Sequence, residues 1–346
     1  MDDSAVPAPV SGMVTSRVRT SQGAGDARRP PTMLVVGELL VEVMRPAAAP
    51  VPLDRPGSFL GPFASGAPAI VASVAARLGV SVSLVGAVGD DAFGRLLRRR
   101  LTADGVDTAR VRVDPELPTG CAFVAYDNSG GREFNFHVAH SAAATLPGDC
   151  LGDVPEGVDW VHVSGSSAVL SIELGRVALD AARRARAAGA RVSVDPNVRP
   201  NASPEALGLI RSLLDIADVT TPATGELAAL GVDAGTLAAR GVLVCETRGA
   251  AGARLLIGVP EVSGGPLGWV EVPAPPRVEV DPTGAGDHLA AALAAALLQG
   301  FEPVDAVRLA VRVAADSVTV QGPMEAEMRA LSAGPGLGPP TPLPWQ

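Results

Sequence analysis

The residues with the clearest chemical potential lie near the C-terminus, in Asp281-Pro282-Thr283-Gly284-Ala285-Gly286-Asp287. Val278 and Val280 lead into this stretch, and the Ala/Leu run LAAALAAALLQG leads out of it. That context predicts a strand, a tight loop and a long helix. Gly284 and Gly286 carry no Cβ, so a ligand can approach their backbone closely. The first amides of a helix lack intrahelical acceptors and sit at the positive end of its dipole. The amides of Gly284, Ala285 and Gly286 are therefore a ready anion site. Asp287 does not suit simple anion binding, because a carboxylate repels phosphate. It does suit a base that takes the proton of an attacking hydroxyl while the amides stabilise charge on a transferring phosphoryl group. The plainer alternative is that Asp287 only caps the helix.

The chain supplies its own control. Gly23-Ala24-Gly25-Asp26 repeats the same four letters, but no apolar run precedes them and Arg28, Arg29, Pro30 and Pro31 follow. Context carries the inference, not the letters. Rival motifs are missing. There is no G-x-x-x-x-G-K-[ST] loop, and Leu289 stands where a dinucleotide fingerprint needs a third Gly, which disfavours an oxidoreductase. A G-x-S-x-G elbow is also absent. His137 and His140 form an H-x-x-H without helical context, a poor metal site.

The elements that must position these residues follow a βα rhythm. Residues 33–44 (MLVVGELLVEVM) predict a buried strand that breaks at Gly37 and continues to Glu42. Glu38 and Glu42 interrupt the apolar run, and an unpaired buried carboxylate is expensive. Glu42 is therefore either a strand end in solvent or an acid facing a substrate. Residues 45–58 are Pro-rich and read as a loop or short edge strands. Ser65-Gly66-Ala67 reads as a turn, with Pro68 opening a helix capped by Gly79. Residues 82–94 read as a strand with Gly89-Asp90-Asp91 as turn and helix cap, and Arg98–Arg100 as a solvated face. Residues 120–138 alternate differently, around Asn128-Ser129-Gly130-Gly131, and predict a hairpin with one wet face, placed in a small lid. From residue 158 the rhythm returns. Strands end at Ser164–Ser166, at Asp195, Asn197 and Arg199, before a helix at Glu226, and at the Thr247–Gly252 turn. SGGPLG (263–268) reads as a hairpin loop and residues 303–322 as a last helix. Strands alternating with helices predict a parallel sheet covered on both faces, with ligands at the C-terminal strand ends where these polar clusters fall.

Composition bounds the setting. Of 346 residues, 47 % are hydrophobic and only 3 % aromatic, so Val, Leu and Ala must fill the core. A formal net charge of −9 argues against a nucleic-acid or anionic-membrane surface. The apolar run after Asp287 is too short for a bilayer span. Cys121, Cys150 and Cys245 show no metal-ligand spacing, which points to a reducing cytoplasm. Residues 1–32 read as a disordered tail and 329–346 as a flexible one. Met33, directly before the first apolar run, is expected to be the natural start.

The chain resembles the PfkB (ribokinase-like) carbohydrate kinases over roughly residues 33–325. The resemblance rests on GELLVEVM, SGAPAIVASVAARLG…VGAVGDDAFG, DPNVRP, TRGAAGA and, above all, DPTGAGD. It implies a three-layer α/β/α fold with a mostly parallel sheet, in one domain at 33–328 with a small β lid from about 45–60 and 118–138. It implies ATP-dependent phosphorylation of a sugar hydroxyl, with Gly284–Gly286 as anion hole and Asp287 as base. Thr247, Gly249 and Gly252 would border the nucleotide, together with Thr283 and the final-helix region. Glu226 would organise Mg2+ through water, and Asp281 and Thr283 would hold a monovalent cation such as K+. The sugar would lie among Glu42, Gly66, Ala67, the lid, Arg199 and Asp287. The family's lid sometimes forms a homodimer interface. This chain departs from the pattern in four places: Ile70 replaces a usual Asn, Glu42 a usual Asp, Ala223 the Asn of N-x-x-E, and His288 a usual small residue. The combination of GPFxSGAPAI, HVSGSS and QGPME resembles tagatose-kinase-like members. A ketohexose (tagatose or fructose) therefore ranks first, and a 2-keto-3-deoxy sugar acid, paired through Arg199, second. A nucleoside ranks lower because few aromatics are present to stack a base. The alternative of another class is a non-catalytic sugar sensor on a kinase fold, motivated by Ala223 and Ile70 and opposed by the retained Asp287.

Overall fold

The apolar run near the start serves two sheets. Thr32–Val36 is strand β1 and Leu40–Met44 is strand β2. The single interrupted strand expected here is thus two strands, in different sheets. Gly37 turns the chain between them at φ 155°; a Cβ on it would meet Pro68 Cγ at 2.4 Å and Ser167 Oγ at 2.5 Å. Thr32, expected in the tail, already belongs to β1. A computed structural model describes residues 32–48, 51–126, 131–147, 157–256 and 268–328. The rest of both expected tails, the hairpin tip at 127–130, Cys150 and residues 263–267 lie outside the described residues.

In the large sheet β1 pairs in parallel with β4 (Ser81–Gly89) and β8 (Trp160–Ser164). Beyond β8 follow β9 (Arg191–Asp195), β10 (Val219–Thr220) and β11 (Leu243–Thr247), all parallel. The antiparallel pairings of β12 (Ala253–Leu256) and β13 (Trp269–Val272) finish that side. β5 (Val111–Asp114) finishes the other, beside β4. Alternation sends β1 side chains to two cores. Met33 and Val35 join the core built with helices α1 (Ala67–Arg77), α2 (Ala92–Ala103), α8 (Ala285–Leu298) and α9 (Pro303–Ser317). Leu34 and Val36 join the core built with α4 (Ile172–Ala187), α5 (Pro204–Leu214) and α7 (Ala234–Ala239). Short helices α3 (Ser166–Leu170) and α6 (Glu226–Ala229) sit at strand ends. These layers match the expected α/β/α class. Asp91 caps α2 as expected, accepting Gly94 N–H at 2.8 Å, and α9 stops at Ser317 rather than 322. Among the described residues no helix is long and apolar enough to cross a membrane.

The second sheet runs β3 (Leu60–Ser65), β2, β6 (Gly120–Tyr126), β7 (Arg132–His137). It takes in residues 40–44, which the expected lid segments omit, while 45–59 connect β2 to β3. Register places Glu42 opposite Ala122 and Tyr126 opposite Arg132. Glu42, Tyr126 and Arg132 therefore project from one face of this sheet.

Candidate active site

The expected strand before the 281–287 loop does not form. β13 ends at Val272, and Pro273, Pro275 and Pro276 remove the donors a ladder needs, leaving Val278 82 % exposed. The loop is instead pinned by Val280 and Asp281 N–H, which donate to Val318 O at 2.7 and 3.1 Å. Asp281 is buried and braces the turn: Oδ1 accepts Thr283 N–H at 3.0 Å and Oδ2 accepts Gly322 N–H at 2.9 Å. The helix half of the expectation holds. Gly284 is the N-cap of α8 at φ 78°, a left-handed conformation that favours glycine. A Cβ there would stand 3.1 Å from Ile70 Cδ1, so the residue in the usual Asn position floors the loop instead of offering a polar group. Gly284 O accepts both His288 N–H (2.9 Å) and His288 Nδ1–H (2.8 Å). Burial pushes the His288 ring down to about 4, so it stays neutral.

Ala285 N–H leans back to Pro282 O at 3.3 Å. Among the described residues, no backbone acceptor outside the helix ladder takes the amides of Gly284, Gly286 or Asp287. Gly284 and Gly286 of the expected trio thus keep amides without a backbone acceptor, and the base adds its own.

Around Asp287 stands a set of charges from four strand ends. Burial pushes its carboxyl up to about 7; Arg199 and Arg132 pull it down and Glu38 pushes it further up. Asp195, at the end of β9, is raised by burial and then by Glu226 and Asp287. Glu226 opens α6, and its burial also raises its pKa. Its Oε1 accepts Val198 N–H at 2.7 Å and its Oε2 accepts Ala223 N–H at 2.8 Å. Ala223 therefore contributes through its backbone where the N-x-x-E pattern has Asn. Glu38 is buried and accepts Ser166 Oγ–H (2.6 Å) and Ser167 Oγ–H (2.5 Å). Arg199 is exposed just beyond β9.

The small sheet supplies the opposite wall. Glu42 is not a solvated strand end: it is 6 % exposed, Oε1 accepts Ser65 Oγ–H at 2.9 Å, and Oε2 is buried without a partner. Burial pushes it up to about 7, and Asp281 and Asp287 add to the rise. Arg132 Nη1 donates to Thr283 Oγ1 at 3.1 Å, bringing β7 onto the loop. Gly66 and Ala67 begin α1, and a Cβ on Gly66 would lie 2.6 Å from Glu38 O.

A cavity of about 270 Å³ borders the loop on its other side. Thr247, Gly249 and Gly252 line it, with Val311 and Val318 from the last-helix region and Ala285 and Gly286 from the start of α8. The structure thus gathers Asp287, Gly284–Gly286, Asp281, Thr283, Glu226, Glu42, Arg199, Gly66 and Ala67 about one cleft; of the nucleotide-side expectations, Thr247, Gly249 and Gly252 line the adjoining cavity, whereas Thr283 and Glu226 do not. His137 and His140 join no metal cluster; among the described residues no group of three His, Cys, Asp or Glu side chains could hold an ion. Sequence reasoning missed Arg132, whose signal was a single basic residue opening a hairpin strand, and Glu38 as a member of the Asp287 charge set.

The pfkB family carbohydrate kinase model matches residues 32–329. A fructokinase from Salmonella typhimurium is 33 % identical over 287 residues, covering 80 % of this chain and 87 % of its own. A 2-dehydro-3-deoxygluconokinase from Thermoproteus tenax is 32 % identical over 323 residues, 89 % of this chain and 94 % of its own. A candidate ribokinase II from E. coli, solved with ATP and Mg2+, superposes with a TM-score of 0.76 at 33 % identity over 86 % of this chain and 95 % of that one. A double-mutant fructokinase from Vibrio cholerae O395, solved with fructose, ADP and potassium, gives 0.72 at 26 % identity over 86 % and 94 %. With the motifs, the two-sheet fold and this cleft in agreement, the chain belongs to the pfkB family of carbohydrate kinases.

Proposed function

We propose that the protein transfers the γ-phosphoryl group of ATP to a hydroxyl of a ketohexose, fructose or tagatose, bound between the two sheets. The observation that carries this reading is Asp287, pushed up to about 7 by burial in the first turn of α8, next to Gly286, which lines the cavity. In this reading ATP fills the cavity along Thr247, Gly249 and Gly252, and its terminal phosphate meets the amides of Gly284, Gly286 and Asp287. Asp287 takes the hydroxyl proton. Arg132 and Arg199 offset charge beside it. Glu42, Ser65, Gly66 and Ala67 line the sugar side.

The residues present fit Mg2+ of the kind that keeps its waters and binds substrate phosphates rather than an all-protein cage. Glu226 adds to the rise of the Asp195 carboxyl, a like-charge cost that a nearby cation relieves. Glu226 spends both oxygens on backbone N–H groups, so it would hold the ion through water, and Mg2+ when bound would neutralise phosphate charge. The turn at Asp281 and Thr283 fits K+ less directly, since both Asp281 oxygens already brace the turn.

A 2-keto-3-deoxy sugar acid is the second reading, favoured by Arg199, whose charge reaches Asp287, Glu38, Asp195 and Glu226 and suits a substrate carboxylate. Coupled ADP release across a sugar panel, with mass analysis of product, tests both. Turnover with fructose or tagatose supports the first and selective turnover with the keto-deoxy acid the second. Saturable sugar binding with no ADP release from any sugar would leave a non-catalytic sensor.

A further inference from the structure

The small sheet and the 281–287 loop share a second connection, remote from Asp287. Gln321 lies just past α9. Its Nε2 donates to Arg45 O at 2.7 Å and its Oε1 accepts Ala47 N–H at 3.2 Å. One amide side chain thus satisfies both backbone groups that the chain presents on leaving β2. Arg45 is itself fixed. Its N–H donates to Val124 O at 2.8 Å, and its buried guanidinium donates to Pro52 O and Ser58 O, each at 3.2 Å, and to Arg55 O. The guanidinium also lies 3.9 Å over the Phe59 ring.

The residue after Gln321 continues the path. Gly322 N–H donates to Asp281 Oδ2, Asp281 Oδ1 accepts Thr283 N–H, and Thr283 Oγ1 accepts Arg132 from β7. Contacts therefore run from the β2–β3 connection, through the loop, and back to the far strand of the same sheet. Gly322 is confined as well: at φ 105°, a Cβ would meet Phe63 Cδ1 of β3 at 2.7 Å. A side chain that ties rigid Arg45 to the residue bracing Asp281 carries a displacement at either end to the other.

We propose that Gln321 is a positioning residue, coupling closure of the small sheet over the sugar to the geometry of the 281–287 loop. The proposal rests on the reading of that loop as the phosphoryl-transfer site. Gln321 touches neither reactant. It holds the β2 exit down, and through Gly322 and Asp281 it holds the turn that sets the direction of the α8 amides.

The test uses the full-length protein with ATP, Mg2+ and whichever sugar turns over in the panel. Gln321→Leu removes both hydrogen bonds at similar size, whereas Gln321→Glu keeps the acceptor for Ala47 N–H and loses the donor to Arg45 O. Gln321→Leu is expected to lower kcat about 5-fold or more and raise the sugar KM similarly, with the ATP KM within about 2-fold. Gln321→Glu is expected to fall between it and wild type. Deuterium uptake in both variants should rise at residues 40–48 and also at 281–287. Unchanged kinetics in both variants, or faster exchange confined to 40–48, would overturn the coupling. The charge-for-amide variant carries the test if the leucine variant fails to fold. The exchange readout does not depend on turnover, so failure of this coupling is distinguishable from failure of the base assignment, which Asp287→Asn probes separately.

Discussion

A base that takes a proton during bond formation works best when its pKa lies near the working pH, and Asp287 is brought there by its surroundings. Burial penalises its charged form, Arg199 and Arg132 offset part of that, and Glu38 restores some of it. Asp287→Asn keeps shape and polarity but removes proton acceptance. It should bind ATP as wild type does and lose about 100-fold or more in turnover, read by coupled ADP release. Turnover within a few-fold of wild type would remove Asp287 from the role. The same environment sets a pH dependence. Because the base must be ionised and its carboxyl is raised to about 7, kcat/KM should fall on the acid side with an inflection near that value and a slope of one. Arg132→Gln withdraws a positive charge that lowers this pKa, so its acid limb should move to higher pH. An acid limb that stays near pH 4 in wild type would contradict the buried, raised carboxyl.

At the scale of elements, the cleft is assembled by short loops that tie one strand end to the next. Glu226 shows this most clearly: one carboxylate at the start of α6 clamps Val198 N–H beyond β9 and Ala223 N–H before α6. Glu226→Gln turns one acceptor into an NH2 facing a backbone donor and removes the charge that would hold a hydrated cation. The magnesium titration of activity should shift several-fold to higher concentration, and exchange around Val198 and Arg199 should quicken. An unchanged titration would leave Glu226 with a structural role alone. Much of this scale was legible in the sequence. The βα rhythm, the Asp91 cap, the helix after Gly286 and the position of Glu226 are all local signals, carried by periodicity and capping chemistry. Two failures have long-range or competing causes. The Val278–Val280 run looked like a strand, but three prolines upstream deny it a ladder. The split of 33–44 between two sheets depends on Gly37 meeting Pro68 and Ser167, residues 31 and 130 positions away, and no local pattern records that. Arg132 is the same case, since its partner Thr283 is 151 residues distant.

Across the whole molecule, the site concentrates carboxyls that the fold does not fully compensate. Glu38, Glu42, Asp195, Glu226 and Asp287 are all raised above their ordinary values, chiefly by burial. Such an arrangement is expected of an active site, where function is held against stability. The sign follows from linkage. A carboxyl whose folded pKa lies above its unfolded value holds more protons in the folded state, so its presence weakens the fold as pH rises through the interval between the two. For Glu42 that interval runs from 4.5 to about 7, and for Asp287 from 3.8 to about 7. The buried rings of His162 and His288, both pushed down to about 4, act in the opposite direction below pH 6.5 and blur the wild-type profile. A difference between variant and wild type removes them. In the ligand-free protein, Asp287→Asn should therefore raise Tm at pH 8 by roughly 2 °C or more, the shift expected for a gain of about 1 kcal/mol in a domain of this size. The gain should be smaller at pH 5, inside that interval, and vanish only below about 3.8, where the carboxyl is protonated in the unfolded chain as well. Glu42→Gln should show the same trend more weakly, because Ser65 Oγ–H also bonds its carboxylate. Equal Tm gains at pH 5 and pH 8, or a loss at pH 8, would mean that the cluster is compensated as it stands, and the raised base near neutral pH would lose its structural explanation.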